Sequence, residues 1–287
     1  MWLRRDICLG TLDRLPASSR GYQPSLFEQL NVTKAAGYEA VISWDHWPTI
    51  QAAGLIAIGM ARVVEPKDAL PIAHQPKQKE LEITTLHVGT DFERRDEMNA
   101  LAEAVLDAAA RTGHALHIET HRGTMTQDIY RTLKLAERWT DLAFTLDFSH
   151  YYTGHEMTYG GEFATRLARL LPLFRQVKSI LVRMGDTGRI HRSIDPKAHF
   201  VLDHLQALKC CIDQIRKTTD GSLKALSIAP ELLSAKMNDG TEDRWICYAE
   251  EGEDVDRFSE AFMLSDLIDI ACAPDKLSPH SEPVTYA

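Results

Sequence analysis

Three observations predict that this 287-residue chain folds as a single (β/α)8 barrel, or TIM barrel. Short β-rich apolar segments recur eight times, stretches with helical periodicity lie between them, and the length suits one such barrel. The alternative is an open doubly wound sheet, which needs a glycine-rich phosphate turn after its first strand. The segment LGTLDRLPASSRG is not such a turn.

The eight predicted strands share a short apolar run that precedes polar residues. They are ICLGTL (7–12), EAVISW (39–44), LIAIGMARV (55–63), ITTLHVGTD (83–91), ALHIETH (115–121), LAFTLDFSH (142–150), SILVRMGD (179–186) and ALSIAPELL (225–233).

Five amphipathic helices are predicted between these strands. They are SLFEQLNVTKAAG, DEMNALAEAVLDAAARTG, TQDIYRTLKLAERW, GEFATRLARLLPLFRQ and FVLDHLQALKCCIDQIRK. The second of them stops at Gly113, a residue type that commonly ends helices. We assign residues 1–272 to the barrel domain, with an acidic loop at 235–253, and residues 273–287 to a C-terminal tail.

Composition excludes several classes of function. The formal charge is −9 and no block is rich in lysine or arginine, so nucleic acid is not expected as a partner. No apolar run is long enough to span a bilayer, and the N-terminal residues lack the apolar core of a signal peptide. The five cysteines form no CxxC pair, which fits a reducing compartment. We therefore expect a cytoplasmic protein.

Carboxylates follow three of the predicted strands. Glu119 lies near the end of LHIETH, Asp147 near the end of FTLDFSH, and Glu231 near the end of SIAPELL. The carboxyl ends of barrel strands form the active-site face, where three converging carboxylates repel one another unless a cation lies between them. A shared divalent ion is one solution. The alternative is that each carboxylate caps the next helix or pairs with an arginine, as Glu119 could with Arg122.

The segments IETHRGT (118–124), TLDFSH (145–150), VRMGDTG (182–188) and APEL (229–232) carry a resemblance. In order and spacing they resemble the xylose-isomerase-like barrel superfamily, which includes ketose 3-epimerases, hydroxypyruvate isomerase and several dehydratases. The resemblance covers about residues 115–235. It implies one divalent ion, Mn, Mg, Co or Zn, held by a Glu, an Asp, a His and a second Glu from strands five to eight.

Mapped onto this chain, the resemblance makes Glu119, Asp147 and Glu231 metal ligands, and Glu119 and Glu231 also the catalytic acid and base. It makes His150 a substrate contact, although a histidine in an exposed loop is the alternative. His121 is expected at the same mouth, with a plain surface position as its alternative. Arg183 is also expected to contact the substrate.

The histidine ligand of strand seven is missing from the pattern. Relatives often read HxHARVG there, and aligning RVG with Arg183-Met184-Gly185 puts Leu181 at the ligand position. Three explanations remain open: His191 reaches back from the following loop, another donor such as His155 or water fills the position, or the metal is lost. Arg189 lies beside His191 and suggests an anionic or polyhydroxyl ligand.

Two further features lie at predicted strand ends. Trp44 follows the second strand, where its ring can stack on a sugar, but packing of Trp44 and Trp47 under the loop is the alternative. His87 ends the fourth strand and faces either the mouth or the helices.

These residues predict a metal-dependent isomerase or epimerase that moves a proton next to the carbonyl group of a sugar or polyol. A lyase or dehydratase that uses the same site, and a sugar-binding barrel without catalysis, are the alternatives. The expected partner is a small carbohydrate, and a homo-oligomer is left open.

Overall fold

Eight parallel strands close into a barrel in this computed structural model, and their order around the wall follows the chain. The predicted single (β/α)8 barrel is therefore confirmed. The structure describes residues 1–78, 80–219, 221, 223–234, 236–238, 243–245 and 256–273. The predicted tail and most of the predicted acidic loop lie outside these residues, so the domain boundary at residue 272 stays a prediction.

The barrel wall consists of β1 (Trp2–Cys8), β2 (Ala40–Ser43), β3 (Ile56–Val63), β4 (Ile83–Val88), β5 (Ala115–Glu119), β6 (Ala143–Asp147), β7 (Val177–Val182) and β8 (Ala225–Pro230). β8 pairs with β1 and closes the barrel. After β8, the short strands β9 (Lys236–Asn238) and β10 (Asp243–Trp245) form an antiparallel pair.

The helices are α1 (Leu26–Ala35), α2 (Trp47–Ala52), α3 (Ala69–Gln78), α4 (Arg95–Thr112), α5 (Ile129–Arg138), α6 (Phe148–Gly154), α7 (Phe163–Arg169), α8 (Leu171–Phe174), α9 (His199–Thr218) and α10 (Arg257–Ala271). The predicted helix over GEFATRLARLLPLFRQ is divided into α7 and α8. Pro172 stands in the first turn of α8, a position where proline is tolerated because its missing N–H is not needed. None of the helices in the described ranges is long and apolar enough to cross a membrane.

The first strand is the main error in the predicted elements. We predicted it at 7–12, but β1 runs over Trp2–Cys8 and a short 3-10 helix follows at Leu9–Leu12. The strand contains charged residues whose partners are distant in sequence, and these charges conceal the strand pattern. Arg4 is buried and donates to Asp6 and to Glu82, each at 2.8 Å.

The end of the sixth strand was also placed too late. The predicted segment reached residue 150, but β6 ends at Asp147 and α6 begins at Phe148. Asp147 is the N-cap of α6, because its side chain accepts a hydrogen bond from the Ser149 N–H. The carboxylate therefore stands at the point where strand becomes helix, directly at the barrel mouth.

The barrel interior is filled by side chains of alternate strand residues. One part is apolar and consists of Ala40, Ile42, Ile58, Met60, Leu181 and Ala229. The other part is a chain of hydrogen bonds in which Thr145 joins Thr85 at 2.9 Å and Ser179 at 2.7 Å, and His117 joins Ser179 at 2.9 Å. Because the interior is occupied, a substrate has access only to the ends of the barrel.

Candidate active site at the barrel mouth

Consecutive strands β5 to β8 deliver four ionisable side chains to the mouth. β5 ends in Glu119 and β6 in Asp147, while Arg183 and Glu231 directly follow β7 and β8. The ladder aligns Asp147 with Leu181 and Val182 with Pro230, and the Glu231 N–H donates to the Val182 carbonyl at 2.9 Å. Arg183 follows Leu181 by two residues, so it lies on the same face of the chain and one layer nearer the mouth.

Arg183 connects the carboxylates of the two neighbouring strands. Its Nη2 atom lies 2.6 Å from Asp147 Oδ2 and 2.9 Å from Glu231 Oε2. The same nitrogen lies 3.2 Å from His150 Nε2, which must accept because a guanidinium has only donors. The side chain of Arg183 is 1% exposed. A buried guanidinium thus neutralises charge at the centre of the mouth.

The second oxygen of Asp147 is held by α6. Asp147 Oδ1 accepts from the Ser149 N–H at 2.9 Å and from the Ser149 hydroxyl at 2.5 Å. Ser149 Oγ also lies 3.4 Å from Nε of Arg183. Both oxygens of Asp147 are therefore engaged, one by the helix N-terminus and one by the guanidinium.

Glu119 pairs with a histidine from the neighbouring strand β4. His87 Nε2 lies 3.2 Å from Glu119 Oε2, so His87 faces the mouth and not the helices. Burial acts to lower the pKa of His87, but the charge of Glu119 and the hydrogen bond between them raise it above its usual value. The strand-end pattern had drawn attention to His87, but it did not indicate which way the ring points.

Glu231 is a buried carboxyl group with charged neighbours. Burial raises the pKa of Glu231 to about 7, with the Glu119 and Asp147 charges acting in the same direction and Arg183 opposing them. Glu231 Oε1 lies 3.5 Å from the thiol sulfur of Cys8, a neighbour that the sequence analysis missed. A carboxyl group with such a pKa can both hold and release a proton near neutral pH.

A row of imidazole rings lines the mouth beside Glu119. The ring of His121 lies 4.3 Å from that of His87 and 4.0 Å from that of His150, between centroids. Burial lowers the pKa of His121 to about 3, and it lowers that of His150 well below its usual value. Both rings are thus neutral hydrogen-bonding groups. Trp44, which is half exposed, contacts His87 edge-on at 5.3 Å.

The loop after β7 places the remaining predicted residues. His191 is buried, and burial together with the charges of Arg183 and Arg257 lowers its pKa to about 4. Arg189 is exposed, and its N–H donates to Asp186 Oδ1 at 2.7 Å. His155 Nε2 donates to the Gln127 carbonyl, 2.9 Å away. The roles assigned to His191 and Arg189 stay predictions.

Two groups among the described residues are close enough together to hold a metal ion. One is His87, Glu119 and His121, and the other is Glu119, Asp147 and His150. Of the predicted ligands, the groups include Glu119 and Asp147 but neither Glu231 nor His191. The mouth thus brings together the predicted carboxylates, and it adds a guanidinium between two of them.

Comparisons with known proteins agree on the architecture. A protein from Sinorhizobium meliloti 1021, SMc04130, has a crystal structure that is 14% identical in sequence, with a TM-score of 0.55 over 93% of this chain and 97% of that one. A xylose isomerase-like TIM barrel protein from Mycobacterium smegmatis, crystallised in complex with magnesium, is 11% identical, with a TM-score of 0.52 over 95% of this chain and 98% of that one.

This chain shares the TIM-barrel fold of these two proteins. The resemblance inferred from the strand-end motifs is therefore confirmed at the level of the fold. No model of a known protein family matches the sequence, and no curated protein matches it. At these identities the likeness establishes the fold alone.

Proposed function

We propose that this protein is an isomerase or epimerase that transfers a proton at a carbon next to the carbonyl group of a sugar or related polyol. One observation carries the proposal: two buried glutamates, Glu119 and Glu231, stand at the ends of β5 and β8, and a buried cation from β7, Arg183, contacts Glu231. The strand order puts Asp147 and Arg183 between the two glutamates along the barrel wall.

In the proposed reaction one glutamate removes the proton on the carbon beside the carbonyl, which leaves an enediolate. The other glutamate returns a proton to the opposite face of the same carbon, which gives an epimer. For an isomer it protonates the neighbouring carbon, and the hydroxyl proton moves from one oxygen of the enediolate to the other. Arg183 lies within 2.9 Å of Glu231, so its charge is fixed near the developing negative charge of the enediolate. Preorganised charge of this kind stabilises such a transition state.

Glu231, whose pKa is raised to about 7, suits the exchange of a proton near neutral pH. His87 Nε2 lies 3.2 Å from Glu119 Oε2, so its ring fixes the direction of the other glutamate. The neutral rings of His121 and His150 supply hydrogen bonds for hydroxyl groups, and the exposed face of Trp44 offers a surface on which a sugar ring stacks.

The divalent ion that the fold resemblance implies does not fit the predicted set of three carboxylates. Asp147 Oδ2 and Glu231 Oε2, which would be its ligands, are both bound by the Arg183 guanidinium, and Asp147 Oδ1 is bound by Ser149. The proton transfer is therefore derived from side chains alone.

Solvent exchange tests the proposal directly. A panel of keto-sugars and polyol ketones is incubated with the protein in heavy water, and NMR follows deuterium at the carbon beside the carbonyl. We expect incorporation, and Glu119→Gln and Glu231→Gln should each slow it by roughly 10²–10⁴-fold.

Glu82→Gln is the matched control. Glu82 also pairs with an arginine, Arg4, but it precedes β4 and so lies at the opposite end of the barrel. The control should exchange at the wild-type rate. Loss of water from the substrate would make the protein a lyase, and absence of exchange across the panel would contradict catalysis and favour a sugar-binding barrel.

A further inference from the structure

The mouth of the barrel contains three buried carboxyl groups whose negative charges need compensation. Glu119, Asp147 and Glu231 converge there, and all three side chains are buried, with exposed fractions of 1%, 0% and 6%. Buried carboxylates at close range need a counter-cation. Among the described residues, the Arg183 guanidinium is a permanent cation that contacts two of them, Asp147 and Glu231, and the His87 ring contacts the third.

β7 carries no metal ligand at the position where the resemblance implied one. The sequence pattern pointed to Leu181, but Leu181 is 1% exposed and packs with Ala229 and Ile42 in the apolar part of the barrel interior. The next residue on the same face is Arg183, one layer nearer the mouth, where its guanidinium reaches Asp147 and Glu231. β7 therefore presents a guanidinium at the mouth but no imidazole.

Arg183 binds the atoms that an ion would need. A single nitrogen, Nη2, lies 2.6 Å from Asp147, 2.9 Å from Glu231 and 3.2 Å from His150. An ion at this point would have to expel the guanidinium while keeping it buried. Breaking a buried charge pair in this way is strongly unfavourable, because the guanidinium is left without compensation.

The other candidate group, His87, Glu119 and His121, has poor geometry for an ion. The rings of His87 and His121 are stacked, 4.3 Å apart and inclined by only 26°. The lone pair of an imidazole nitrogen lies in the ring plane, so nearly parallel stacked rings direct their lone pairs side by side and not to one point. In addition, His87 Nε2 already contacts Glu119 Oε2 at 3.2 Å.

We propose that Arg183 takes the place of the divalent ion, and that the wild-type mouth has no high-affinity site for one. The guanidinium is a permanent cation, fixed by Asp147 and Glu231, and it orders the two carboxyl groups as a metal would. Arg183 is in this view a positioning residue that also supplies the electrostatic field of the site. The proposal concerns the same mouth as the proposed function, but its test measures metal binding and not turnover.

Titration with Mn²⁺ provides the test, with electron paramagnetic resonance reporting free Mn²⁺ and calorimetry reporting heat. The proteins are the wild type, Arg183→His, Arg183→Met and the double variant Arg183→His/Glu231→Gln. We expect no specific binding to the wild type. Arg183→His, which uncovers the carboxylates and adds a ligand, should bind Mn²⁺ at least roughly tenfold more tightly than Arg183→Met. Glu231→Gln should remove that gain.

Arg62→Met is the control for loss of one positive charge. Arg62 is an exposed arginine close to His87 that donates to the Gly89 carbonyl at 3.2 Å, so removing it uncovers no carboxylate of the group. It should not create a Mn²⁺ site. Circular dichroism checks that each variant folds.

Tight, stoichiometric binding of Mn²⁺ by the wild type would overturn the proposal, and this measurement does not depend on any variant folding. Loss of that binding in His121→Asn would assign the ion to the His87, Glu119 and His121 group. Neither result would touch the deuterium-exchange experiment, so the proton-transfer proposal stands or falls separately.

Discussion

Individual hydroxyl groups hold the backbone that carries the carboxylates of the mouth. Thr11, fully buried, donates to the Pro230 carbonyl at 3.2 Å and accepts from the Leu232 N–H at 3.0 Å, so it fixes the backbone on both sides of Glu231. Thr120 does the same for Asp147, whose N–H and carbonyl each lie 3.0 Å from Thr120 Oγ1. Both threonines act through the backbone of another residue.

Replacing Thr11 with valine keeps its shape but removes both hydrogen bonds. Because this leaves buried polar groups unpaired, we expect a loss of about 1–3 kcal/mol in the free energy of unfolding. We also expect slower deuterium exchange with little change in sugar affinity, since Glu231 loses its fixed position. Denaturant unfolding and exchange kinetics measure the two effects.

Thr33→Val is the matched control for that substitution. Thr33 is equally buried, but its hydroxyl donates to the Gln29 carbonyl within α1, far along the chain from the mouth. It should leave exchange unchanged. Equal exchange rates in the Thr11 and Thr33 variants would contradict the positioning role of Thr11.

Among the elements, α6 forms part of the site and α9 supports α6 from outside. α6 carries Ser149 and His150, and its aromatic residues Phe148 and Tyr152 pack against His204 of α9, at 5.4 Å and 4.5 Å between ring centroids. His204 Nδ1 lies 2.7 Å from the Phe200 carbonyl. The contact between the two helices therefore contains a buried histidine.

His204 should make this contact sensitive to pH. Burial lowers its pKa to about 4, so between about pH 6.5 and 4 the unfolded chain binds a proton that the folded chain does not. The stability that depends on neutral His204 is full above pH 6.5 and is lost as the pH falls through this window. The loss is about 3 kcal/mol, on the basis of ~1.4 kcal/mol per pH unit.

The His204→Leu variant should therefore lose less stability than the wild type between pH 7 and 4, as measured by urea unfolding at each pH. The exposed histidine His74 provides the control variant His74→Leu. If the free energy of unfolding falls equally with pH in the wild type and in His204→Leu, His204 does not carry this pH dependence.

At the scale of the whole molecule, the two ends of the described chain close the barrel together. β1 pairs with β8, and Arg5 of β1 binds Asp266 and Asp269 of α10, at 2.7 Å and 2.5 Å. The loop before α1 contacts the start of α10 in two places. The Arg257 guanidinium donates to the Asp13 carbonyl, and the Ser19 hydroxyl donates to the Asp256 carboxylate. Gly21 leaves room for Phe258, since a Cβ there would lie 2.4 Å from the ring.

Phe258→Ala tests this closure. The ring is 1% exposed, so its removal leaves a cavity and should cost about 3–5 kcal/mol. We expect loss of far-UV and near-UV circular dichroism to occur in one transition at a lower temperature, because neither half of a closed barrel has a complete core. Phe92→Ala, at a residue 88% exposed, should change stability by no more than about 0.5 kcal/mol. An early separate transition would contradict closure by the chain ends.

Much of this protein was determined by its sequence. The alternation of apolar strands and amphipathic helices reflects local geometry, so it predicted the barrel, seven strands in nearly the right place, and the convergence of Glu119, Asp147 and Glu231 at one end. Each of these conclusions depends only on residues close together in the chain.

The tertiary structure decided which charges meet. β1 was misplaced because Arg4 and Arg5 are neutralised by residues 78 and 264 positions away. Likewise the ladder pairs Asp147 with Leu181, yet it is the Arg183 side chain, one layer nearer the mouth, that contacts Asp147 and Glu231. Desolvation makes pairing obligatory for buried charges, but the partner is chosen by three-dimensional proximity, which a single sequence does not contain.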